Sequence, residues 1–576
     1  MAKKKEDKKE LEILRHSAAH ILAHAIKELY PGAKNTIGPA VEDGFYYDFE
    51  NLQITPEDFP KIEKKMKEIS RAKHPFEKKE VTLAELRKMF KDNKYKIEMA
   101  EEFKKAGDKL TIYRSGDFVD LCRGPHVKST RDVKAFKLTK IAGAYWRGDQ
   151  KNKQLTRVYG VAFPTKEELN AYITRMQEAA KRDHRKIGKE LELFSFHDCA
   201  PGMPFWHPKG TIIWNELIKY WREEHTKADY GEIRTPILLN KILWEQSGHW
   251  KHFRECMYFT KIDEQDYALK PMNCPGGIQI YKNRVRSYKE FPLRLAELGL
   301  VHRHELSGVL AGLFRVRSFT QDDAHIYCTE KQLKDEIKGV IILTDKIYKK
   351  FGFDYHVELS TMPEKAMGDS KLWQKAEKAL ADAMKELKKE FKINPGDGAF
   401  YGPKLDFHLK DALGRTWQCG TLQLDFQLPI NFKLKYMGSD GTENHQPIML
   451  HRTIYGSIER FIGVLLEHTA GKLPLWASPV QVKILTVADR FNDCAEKVAQ
   501  QMKDAGIRAE VDEKSESIGK KVREAQLQQI NYILVIGEKE VNDKTVAVRT
   551  RDNKVHGAKK VDSFIKEIVK EIQERT

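Results

Sequence analysis

The order of apolar segments changes after residue 473, and this change most constrains how the 576-residue chain can fold. Beyond the stretch 473–479, which contains two prolines, strand and helix patterns alternate regularly. The predicted strands are 482–487, 509–511 and 532–536, and the predicted helices are 492–505 and 518–529. Such alternation is typical of a doubly wound α/β domain. We therefore predict a separate C-terminal domain over residues 474–576.

The region before residue 474 lacks this regular alternation and divides into two parts. Apolar residues at helical spacing predict a helix over Leu11–Leu29, which Pro31 and Gly32 would end. Short strands and helices follow up to residue 165, as expected for an α+β domain. The charged stretch 167–190 has helical character and no clear stop, which favours a linker helix over 166–190. Residues 1–10 form a charged tail.

The second part, residues 191–473, contains strand patterns that are not separated by long crossover connections. A helix is predicted at 211–228, with strands at 232–235, 300–306, 314–319, 404–409 and 420–426. Strands joined without crossovers pair in an antiparallel manner. The glycine fingerprints of dinucleotide-binding and Walker-type loops are absent from the chain. A nucleotide would therefore be held by side chains in an antiparallel-sheet domain.

Composition excludes several classes of protein. Hydrophobic residues make up 41% of the chain and charged residues 32%, which is typical of a globular protein. No apolar run approaches the length of a membrane span, and Met1–Lys9 lacks the apolar core of a signal peptide. We therefore expect a cytoplasmic protein that does not contact a membrane. Seven cysteines are few and odd in number, which predicts free thiols rather than a disulfide framework.

The charge balance favours a polyanionic partner. Lysine and arginine total 101 against 84 acidic residues, which leaves a net charge of +17. Such an excess promotes binding to nucleic acid through phosphate contacts and counterion release. A solvated basic surface without a partner gives the same composition, so the motifs have to decide.

Two pairs of chemically active residues share a four-residue spacing. His16 and His20 lie on one face of the first predicted helix, and Cys122 and His126 follow Asp120 further along the chain. A metalloprotease helix would carry glutamate after its first histidine, where this chain has Ser17, so that chemistry is disfavoured. A functional cleft and a set of partly exposed polar residues both remain open on this evidence.

Longer strings carry a resemblance that covers the chain from Leu11 onward. The two pairs, together with Gly44–Asp48 and Lys94–Lys96, are similar to the editing domain of bacterial threonyl-tRNA synthetases. Four further strings occur in the order of that family's catalytic motifs: Lys270–Gly276, His302–Glu305, Phe319–His325 and His451–Arg460. The chain therefore resembles a class II aminoacyl-tRNA synthetase of this family.

The resemblance implies both a fold and a function. It implies an α+β editing domain, a class II catalytic domain with an antiparallel sheet, and a C-terminal α/β anticodon-binding domain. The implied reaction ligates L-threonine to tRNA(Thr) through a threonyl-adenylate made from ATP with Mg²⁺, and mischarged seryl-tRNA(Thr) is hydrolysed. Pro236 resembles the dimerisation motif, which implies a homodimer. We expect the chain to lack the ubiquitin-like domain that precedes the editing domain in many relatives, and to activate and edit without it.

Three residues far apart in sequence are implied to bind one zinc ion. Taken alone, Cys274, His325 and His451 are each consistent with a packed core residue. The resemblance makes them zinc ligands, and one cysteine with two histidines leaves the open position that substrate-binding zinc requires. Threonine would fill that position with its amine and hydroxyl, whereas valine lacks the hydroxyl and would be rejected by roughly 10⁴. Serine retains both groups, so a second, editing site is needed.

Arginines dominate the implied ATP site. In the sequence Arg303-His304-Glu305, a strand's period of two would place Arg303 and Glu305 on one face, for phosphate and the adenine amine respectively. The resemblance assigns Arg303 to the α-phosphate, Arg315 and Arg460 to the outer phosphates, and Phe319 to adenine. Further residues implied to surround threonine and ATP are Gln321, Asp323, Tyr401, Lys404, Gln418, Gln423 and Ser457.

The remaining implied roles concern transfer, editing and tRNA recognition. His249 matches a histidine proposed as the general base during transfer to tRNA, and an ordinary histidine pKa suits that role. The implied editing residues, for which we expect no bound metal, are His16, His20, Lys96, Asp120, Cys122 and His126. Glu540 and Arg549 are the implied anticodon contacts. Ser515 and Gln529 replace the asparagine and arginine of the family pattern, so base contacts are not expected there.

Two other functions remain open from the sequence. One is a class II synthetase for another amino acid, which the cysteine–histidine set distinguishes because zinc is what would select threonine. The other is a catalytically inactive regulator that binds tRNA-like RNA. Intact Arg303, Glu305 and Arg460 argue against it, and threonine-dependent pyrophosphate exchange would decide the matter.

Overall fold

The computed structural model describes residues 2–41 and 44–576, with side chains from Lys9 onward. The chain divides into two compact units, Met1–Gln177 and Glu178–Thr576. The helices of the first unit are α1 (Ala2–Leu29), α2 (Phe59–Arg71), α3 (Leu83–Met89), α4 (Lys94–Lys105) and α5 (Lys166–Lys181), the last of which crosses the boundary. Its strands are β1 (Lys34–Asn35), β2 (Ala40–Val41), β3 (Gly44–Glu50), β4 (Glu77–Glu80), β5 (Thr111–Ser115), β6 (Phe118–Leu121), β7 (Ala135–Tyr145) and β8 (Gln154–Phe163).

Helix α1 confirms the predicted apolar stripe and extends it towards the N-terminus. Ala18, Ile21 and Leu22 are completely buried in the main core of this unit. The helix begins at Ala2, whereas the sequence predicted a charged tail over residues 1–10. Lysine and glutamate have high intrinsic helix propensity, so the charged segment continues the helix without needing a core. Met1 lies outside the described residues.

Two antiparallel sheets complete the first unit. Strands β1, β3, β8 and β7 pair in that order, and β2 also pairs with β3. Strands β4, β5 and β6 form a second sheet, with its own small core against α3 and α4. The predicted α+β organisation is confirmed. Because α4 and β6 face one another across this region, they bring together residues that are 24 positions or more apart, such as Lys96 and Asp120.

The second unit contains the remaining elements. Its helices are α6 (His184–Glu190), α7 (Pro208–Lys227), α8 (Lys241–Gln246), α9 (His249–His252), α10 (Cys274–Tyr281), α11 (Glu330–Lys350), α12 (Ser370–Glu386), α13 (Gln427–Asn431), α14 (Ile458–Thr469), α15 (Asn492–Asp504), α16 (Ile518–Leu527), α17 (Glu538–Asp543) and α18 (Val561–Glu574). Its strands up to the central sheet's last member are β9 (Phe194–Ser195), β10 (Phe205–Trp206), β11 (Gly231–Glu232), β12 (Leu238–Asn240), β13 (Phe259–Ile262), β14 (Gln265–Leu269), β15 (Arg286–Ser287), β16 (Leu293–His302), β17 (Ser318–Cys328), β18 (Asp354–Ser360), β19 (Phe391–Asn394), β20 (Lys404–Lys410), β21 (Thr416–Asp425), β22 (Tyr436–Met437) and β23 (Ile448–Thr453). The C-terminal strands are β24 (Val482–Thr486), β25 (Ala509–Asp512), β26 (Tyr532–Ile536), β27 (Thr545–Thr550) and β28 (Val555–Lys560).

An eight-stranded sheet forms the centre of this unit. Its order is β11-β16-β17-β23-β21-β20-β18-β19, and all neighbours are antiparallel except the two edge pairs. The inward face of the sheet packs against α7, α11, α12 and α14 in the largest apolar core. The opposite face carries polar residues at alternate positions, which is where the candidate site lies. The antiparallel prediction is confirmed.

Two of the predicted strands are displaced. The sequence predicted strands at 300–306 and 314–319, whereas β16 ends at His302 and β17 begins at Ser318. The intervening segment turns at Gly312, whose positive φ of 54° suits glycine. Arg303, Glu305 and Arg315 therefore lie on this connection rather than on strands. The period-of-two argument for Arg303 and Glu305 is wrong, although both still reach the same cavity.

The predicted linker helix is interrupted. Helix α5 ends at Lys181 and α6 begins at His184, because the side chain of Asp183 accepts the Arg185 N–H as an N-cap. His184 is buried and accepts the Leu313 N–H through Nε2 (2.9 Å). Its Nδ1 lies 2.7 Å from Glu467. Helix α6 is therefore part of the core of the second unit and not a solvated connector.

The C-terminal region follows the predicted order of strands and helices, but its sheet is mixed. Strand β24 lies between β25 and β26 and is parallel to both. Strands β27 and β28 then add as an antiparallel hairpin, which the doubly wound prediction did not include. All seven cysteines of the chain are free thiols, as predicted. Within residues 2–41 and 44–576, no helix has the length and apolar character needed to cross a bilayer.

Candidate functional site

A cavity of about 580 Å³ opens in the first unit between α1, α4 and the end of β6. Five of the six residues predicted for editing line it, namely His16, His20, Lys96, Asp120 and Cys122. His126 lies immediately behind them, with its ring 4.4 Å from that of His16. The two four-residue pairs therefore converge from α1 and from the loop after β6, as a common cleft requires.

A buried ion pair forms one wall of this cavity. The Lys96 Nζ lies 2.6 Å from Asp120 Oδ1 and 3.1 Å from the Tyr47 hydroxyl, and both charged side chains are at most 4% exposed. The Tyr47 hydroxyl donates to the other oxygen of Asp120, and Asn35 Nδ2 donates to Oδ1 at 3.0 Å. A buried charge needs such partners to be tolerated. The lysine is thereby held as a fixed positive charge at the cavity.

Hydrogen bonds fix the tautomer of His126. The Ser17 hydroxyl donates its only proton to the Ile13 carbonyl (2.8 Å) and accepts the Val127 N–H (3.0 Å). Ser17 therefore acts as an acceptor towards His126 Nδ1 at 3.1 Å, so Nδ1 carries the proton. The Nε2 lone pair of His126 then faces Cys122 Sγ at 3.2 Å. Ser17, which excluded a metalloprotease in the sequence, orients a histidine of this cavity.

Burial keeps these groups neutral. It lowers the pKa of His126 to about 2, and it also lowers the pKa values of His16 and His20. Burial raises the pKa of the Cys122 thiol to about 12. One ring nitrogen from each of His16 and His126 and the Cys122 Sγ all lie within 4.8 Å of one another. Neutral imidazoles suit proton transfer or metal ligation, and the fixed ammonium of Lys96 supplies the positive charge.

Two further cavities adjoin one another on the polar face of the eight-stranded sheet. They enclose about 510 Å³ and 330 Å³ and share Arg303, Gln321, Gln418, Thr421 and Thr453. The first is also lined by predicted residues Glu305, Arg315, Phe319, Ser457 and Arg460. The second is also lined by predicted residues Cys274, Asp323, Tyr401, Lys404, Gln423 and His451. Together they form one elongated cleft with Arg303 at its centre.

The larger cavity is rich in cationic groups. The Arg303 guanidinium lies over the Phe319 ring at 5.1 Å and donates through Nε to the Pro271 carbonyl (3.2 Å). Arg315 and Glu305 are paired with one another at 2.9 Å. Arg460 has a buried Nε without a hydrogen-bond partner among the described residues. Three guanidinium groups around one cavity can neutralise a polyphosphate.

The turn before α14 is tied to the sheet by a residue that the sequence did not single out. Asp322 is completely buried and accepts the backbone N–H groups of Ile454, Tyr455 and Gly456, each at 2.9 Å. Burial raises its pKa to about 6. These contacts fix the start of α14, where Ser457 caps the helix by accepting the Arg460 N–H (3.1 Å). Asp322 therefore positions Arg460 without lining the cleft.

Cys274, His325 and His451 meet at the end of the smaller cavity. They come from the first turn of α10 and from the paired strands β17 and β23, where His325 is directly opposite His451. One ligand atom from each lies within 4.8 Å of the others. Neither ring nitrogen of the buried His325 has a hydrogen-bond partner in the described part of the chain. Such orphaned donor atoms are what a metal ion would satisfy.

The second histidine is oriented from behind. Asp425 lies 2.8 Å from His451 Nε2, and because a carboxylate only accepts, Nε2 carries the proton and Nδ1 keeps its lone pair. The other oxygen of Asp425 accepts the backbone N–H groups of Gln427 and Leu428. Burial lowers the pKa of His325 and raises that of Cys274. The residues present therefore fit a divalent metal such as zinc.

The placement of His249 differs from the sequence prediction. Its side chain is completely buried, with Nδ1 2.8 Å from the Ser247 hydroxyl and Nε2 3.1 Å from Met272 Sδ. Burial lowers its pKa to about 3, well away from the ordinary histidine value on which the general-base argument relied. The ring lines neither cavity of the cleft. Its surroundings are those of a packed core residue.

The two predicted anticodon contacts lie on neighbouring elements of the C-terminal sheet region. Glu540 is in α17, where its carboxylate accepts the Gly537 N–H at 3.0 Å and so caps its own helix. Arg549 is on β27 and is partly exposed. Ser515 is exposed, and Gln529 has a positive φ of 56° at the turn after α16.

Three family models match the chain. The class II core domain of tRNA synthetases for G, H, P, S and T matches residues 258–469, and an anticodon binding domain matches residues 481–571. The second additional domain of threonyl and alanyl tRNA synthetases matches residues 110–159. A threonine–tRNA ligase from Carboxydothermus hydrogenoformans is 56% identical over 99% of this chain and 90% of its own length. One from Clostridium botulinum is 56% identical over 98% of this chain and 89% of its own length.

The chain belongs to the threonine–tRNA ligases. As a member of this family with a class II core, it is an enzyme that charges tRNA and carries the domain associated with editing. The predicted family, fold class and enzyme class are confirmed.

Solved structures agree with this assignment. The RNA binding domain of threonyl-tRNA synthetase from Cryptosporidium parvum is 42% identical, with a TM-score of 0.66, over 67% of this chain and 98% of its own. A prolyl-tRNA synthetase from the same organism, complexed with L-proline and AMP, is 17% identical with a TM-score of 0.52. It covers 68% of this chain and 75% of its own, and it supports the fold alone.

Some residues that line or support the two candidate sites of this threonine–tRNA ligase were not predicted from the sequence. Thr421 and Thr453 line both cavities, and Tyr47 completes the Lys96–Asp120 wall. The signal for the two threonines was present, because each lies two positions from a predicted residue on the same strand and so shares its face. No comparable spacing identified Asp322, Asp425 or Tyr47, whose importance depends on contacts with distant residues.

Proposed function

We propose that the chain ligates L-threonine to tRNA(Thr) in two steps within the cleft of the second unit. The threonine carboxylate attacks the α-phosphorus of ATP, pyrophosphate leaves, and the ribose hydroxyl of the terminal adenosine then displaces AMP from the adenylate. The observation that carries this proposal is the single cleft, with Arg303 at its centre, Arg315 and Arg460 towards one end and the cysteine–histidine set at the other. It has room for a nucleotide beside a small amino acid.

The charged residues divide the chemistry between them. Arg303 lies where the two cavities join, which suits the α-phosphate at which the new bond forms. Arg315 and Arg460 line only the larger cavity and suit the outer phosphates, with Mg²⁺ accompanying ATP. Glu305 suits the adenine amine and Phe319 the adenine ring. The Arg315–Glu305 ion pair has to separate when ATP binds, since both side chains then contact the nucleotide.

The amino-acid end is assigned to threonine. We propose that Cys274, His325 and His451 hold one zinc ion per chain, which when bound supplies an open position for an amine and a hydroxyl. Asp323 accepts from Asn273 Nδ2 at 3.3 Å and suits the substrate ammonium or hydroxyl. The Tyr401 hydroxyl donates to the side-chain amide oxygen of Gln423, which holds both side chains beside the ammonium or hydroxyl of the bound amino acid. Lys404, Gln418, Gln321 and Ser457 complete the lining.

The cavity of the first unit is proposed to hydrolyse seryl-tRNA(Thr). His16, Cys122 and His126 provide neutral proton-transfer groups, and Lys96 stabilises the developing oxyanion. His20 lies in the wall against Phe118 and Phe76. The predicted absence of a metal there stays a prediction, because the same three donor atoms are close enough to share one.

The other proposed properties concern assembly and recognition. A homodimer is supported by apolar side chains exposed on α8 and β13, including Ile242 at 71% and Phe259 at 45%, in the segment that follows Pro236. Glu540 and Arg549 are proposed anticodon contacts, and a cytoplasmic location is proposed for the enzyme. The general-base role of His249 stays a prediction that its burial does not favour.

Threonine-dependent ATP–pyrophosphate exchange tests the ligation proposal. We expect exchange with wild type and a loss of about 10²–10³-fold in kcat/KM for Arg303→Gln, because a charge opposite the reacting phosphate is removed. Arg254→Gln removes an exposed arginine that lines neither cavity and should leave exchange unchanged. Wild-type protein that binds tRNA but catalyses no exchange would favour the inactive RNA-binding regulator.

Hydrolysis of preformed seryl-tRNA(Thr) tests the editing proposal separately. His16 is partly exposed at the cavity, so His16→Gln should fold and slow hydrolysis by about 10²-fold. Threonine-dependent exchange should be unchanged in the same variant, since that reaction is assigned to the second unit. Equal hydrolysis by wild type and His16→Gln would remove this histidine from the mechanism.

A further inference from the structure

A second cluster of metal-ligating side chains lies on the polar face of the eight-stranded sheet, outside the cysteine–histidine set. His356 and Glu358 are on β18, and His408 is on the neighbouring strand β20 directly opposite His356. One ligand atom from each of the three lies within 4.8 Å of the others. These residues line neither cavity of the cleft and have no role in the proposed reaction.

The geometry of the cluster results from strand pairing. His356 and Glu358 alternate with the buried Val357 and Leu359, so both project from the polar face. The rings of His356 and His408 are stacked, with centroids 4.8 Å apart and an interplanar angle of 10°. His356 Nε2 lies 3.3 Å from one oxygen of Glu358, and His408 Nε2 lies 3.7 Å from the other. The carboxylate thus stands between two imidazole nitrogens.

The neighbouring carboxylate, by contrast, is fully engaged. Asp406, next to His408 on the same face, accepts from Ser360 Oγ (2.8 Å), Gln418 Nε2 (2.7 Å) and Thr421 Oγ1 (3.1 Å), and it pairs with Lys404 Nζ (2.7 Å). In the part of the chain that the structure describes, the oxygens of Glu358 pair only with His356 and His408. Glu358 is therefore the carboxylate of this row that is available to a cation.

We propose that His356, Glu358 and His408 form a binding site for a divalent transition-metal ion such as Zn²⁺. Two imidazoles and one carboxylate are a ligand set that suits zinc and related ions and does not suit Mg²⁺ or Ca²⁺. The side chains are 33%, 23% and 20% exposed, so an ion can enter from solvent and keep a water ligand. Bound metal would also link β18 to β20 near the edge of the sheet.

Cobalt is a suitable probe because thiolate ligation changes its spectrum. Co²⁺ at a site with cysteine has near-ultraviolet charge-transfer absorption, whereas a site of two histidines and a glutamate has only weak ligand-field bands. Equilibrium dialysis of full-length protein against Co²⁺ gives the number of ions bound. For His408→Gln and Glu358→Gln we expect about one ion fewer per chain than in wild type, since three protein ligands are needed to hold it. The charge-transfer absorption should not change.

A matched control is available in the same unit. His445 forms a pair with Asp440 at 2.9 Å and belongs to no three-residue metal-ligating group among the described residues. His445→Gln should therefore bind as much Co²⁺ as wild type. Far-ultraviolet circular dichroism that matches wild type shows that the variants are folded, and the difference in bound ions does not depend on whether the cysteine–histidine set holds zinc.

The competing explanation is a hydrogen-bonded histidine–glutamate–histidine cluster that binds no ion. It predicts the same Co²⁺ stoichiometry in wild type, His408→Gln and Glu358→Gln. That result would overturn the proposal. It would also be overturned if the charge-transfer absorption of wild type showed that every bound Co²⁺ ion lies at a site with a cysteine ligand.

Discussion

In both candidate sites, buried polar and charged side chains depend on specific partner residues. Lys96 and Asp120 are buried as a pair, and Asp425 holds His451 in one tautomer. Asp322 is buried against three backbone N–H groups. A buried charge without such partners costs several kcal/mol, so the partner is as necessary as the functional residue itself. This dependence makes the contribution of each partner measurable.

The Lys96–Asp120 pair gives a stability prediction. Lys96→Met leaves the Asp120 carboxylate buried without its cation and should lower the free energy of unfolding of the first unit by about 3–5 kcal/mol. Chemical denaturation measures this loss. The control is Lys109→Met, which breaks an exposed pair with Glu80 at 2.8 Å and should leave the free energy of unfolding nearly unchanged, because solvent screens that pair. Equal effects in the two variants would show that the buried pair contributes no special stability.

Residues of this kind also mark the limit of sequence analysis. The strings around Cys274, Arg303 and Arg460 could be recognised because they are long and ordered. The roles of Tyr47, although it lies in the recognised string Gly44–Asp48, and of Asp425 could not be predicted, because each acts on a residue at least 26 positions away and neither has a distinctive spacing. The burial of His249, which does not favour its predicted role, could not be seen in the sequence for the same reason: its string matched, but burial is a property of the packed structure.

At the scale of elements, the turn between β23 and α14 connects the sheet to the cleft. Gly456 has a positive φ of 81°, and a Cβ atom there would lie 2.3 Å from the Cys419 carbonyl oxygen. The turn places Ser457 as N-cap and Arg460 one turn into α14, with its side chain on the larger cavity. A single glycine therefore determines where Arg460, the proposed phosphate-binding arginine, points.

Replacing that glycine tests the turn. Gly456→Ala combines left-handed backbone strain with a backbone clash and should lower the free energy of unfolding by about 3 kcal/mol or more, with weaker pyrophosphate exchange. Gly441→Ala has a similar φ of 75° but open space around the added Cβ, so it should cost only about 1 kcal/mol. Denaturation of both variants measures the difference. A similar cost for the two would exclude the clash as the cause.

Helix α14 also carries a titratable group that links stability to pH. Both oxygens of the buried Glu459 lie 3.0 Å from the Thr320 N–H, and burial raises the pKa of this carboxyl from 4.5 to about 8. The folded state therefore retains a proton that the unfolded state loses above pH 4.5. Stability should fall as the pH rises from about 4.5 to about 8, at up to about 1.4 kcal/mol for each pH unit.

Glu459→Gln should remove this part of the pH dependence, because the amide does not titrate. Denaturation midpoints at intervals between pH 5 and pH 8 measure the slope, and Glu443→Gln changes an exposed glutamate as the control. Parallel slopes for wild type and Glu459→Gln would show that Glu459 does not titrate in this range.

Elements differ in how well the sequence predicted them. Helices with a continuous apolar stripe, such as α1 and α7, were found because burial and periodicity agree. The ends of β16 and β17 were misplaced, since the connection at 303–317 contains apolar residues that pack without forming a strand. The break between α5 and α6 depends on the burial of His184 against distant partners, which periodicity does not encode.

For the whole molecule, the excess of positive charge is explained by a tRNA partner. The net charge of +17 predicts that tRNA binding weakens steeply with salt, because cations on the protein displace counterions from phosphates. Measured between 50 and 200 mM salt, log K should fall with log salt by about 0.7–0.9 for each phosphate contacted. A slope near zero would contradict a binding mode dominated by phosphate contacts.

Selection of threonine by three residues from separate elements is the central claim about this enzyme. The direct measurement combines bound zinc with pyrophosphate exchange driven by threonine, valine or serine, for wild type and Cys274→Ala. Wild type should bind zinc and prefer threonine over valine by roughly 10⁴, whereas Cys274→Ala should lose both the metal and that preference. A Cys274→Ala variant that keeps its preference for threonine without bound zinc would contradict the claim.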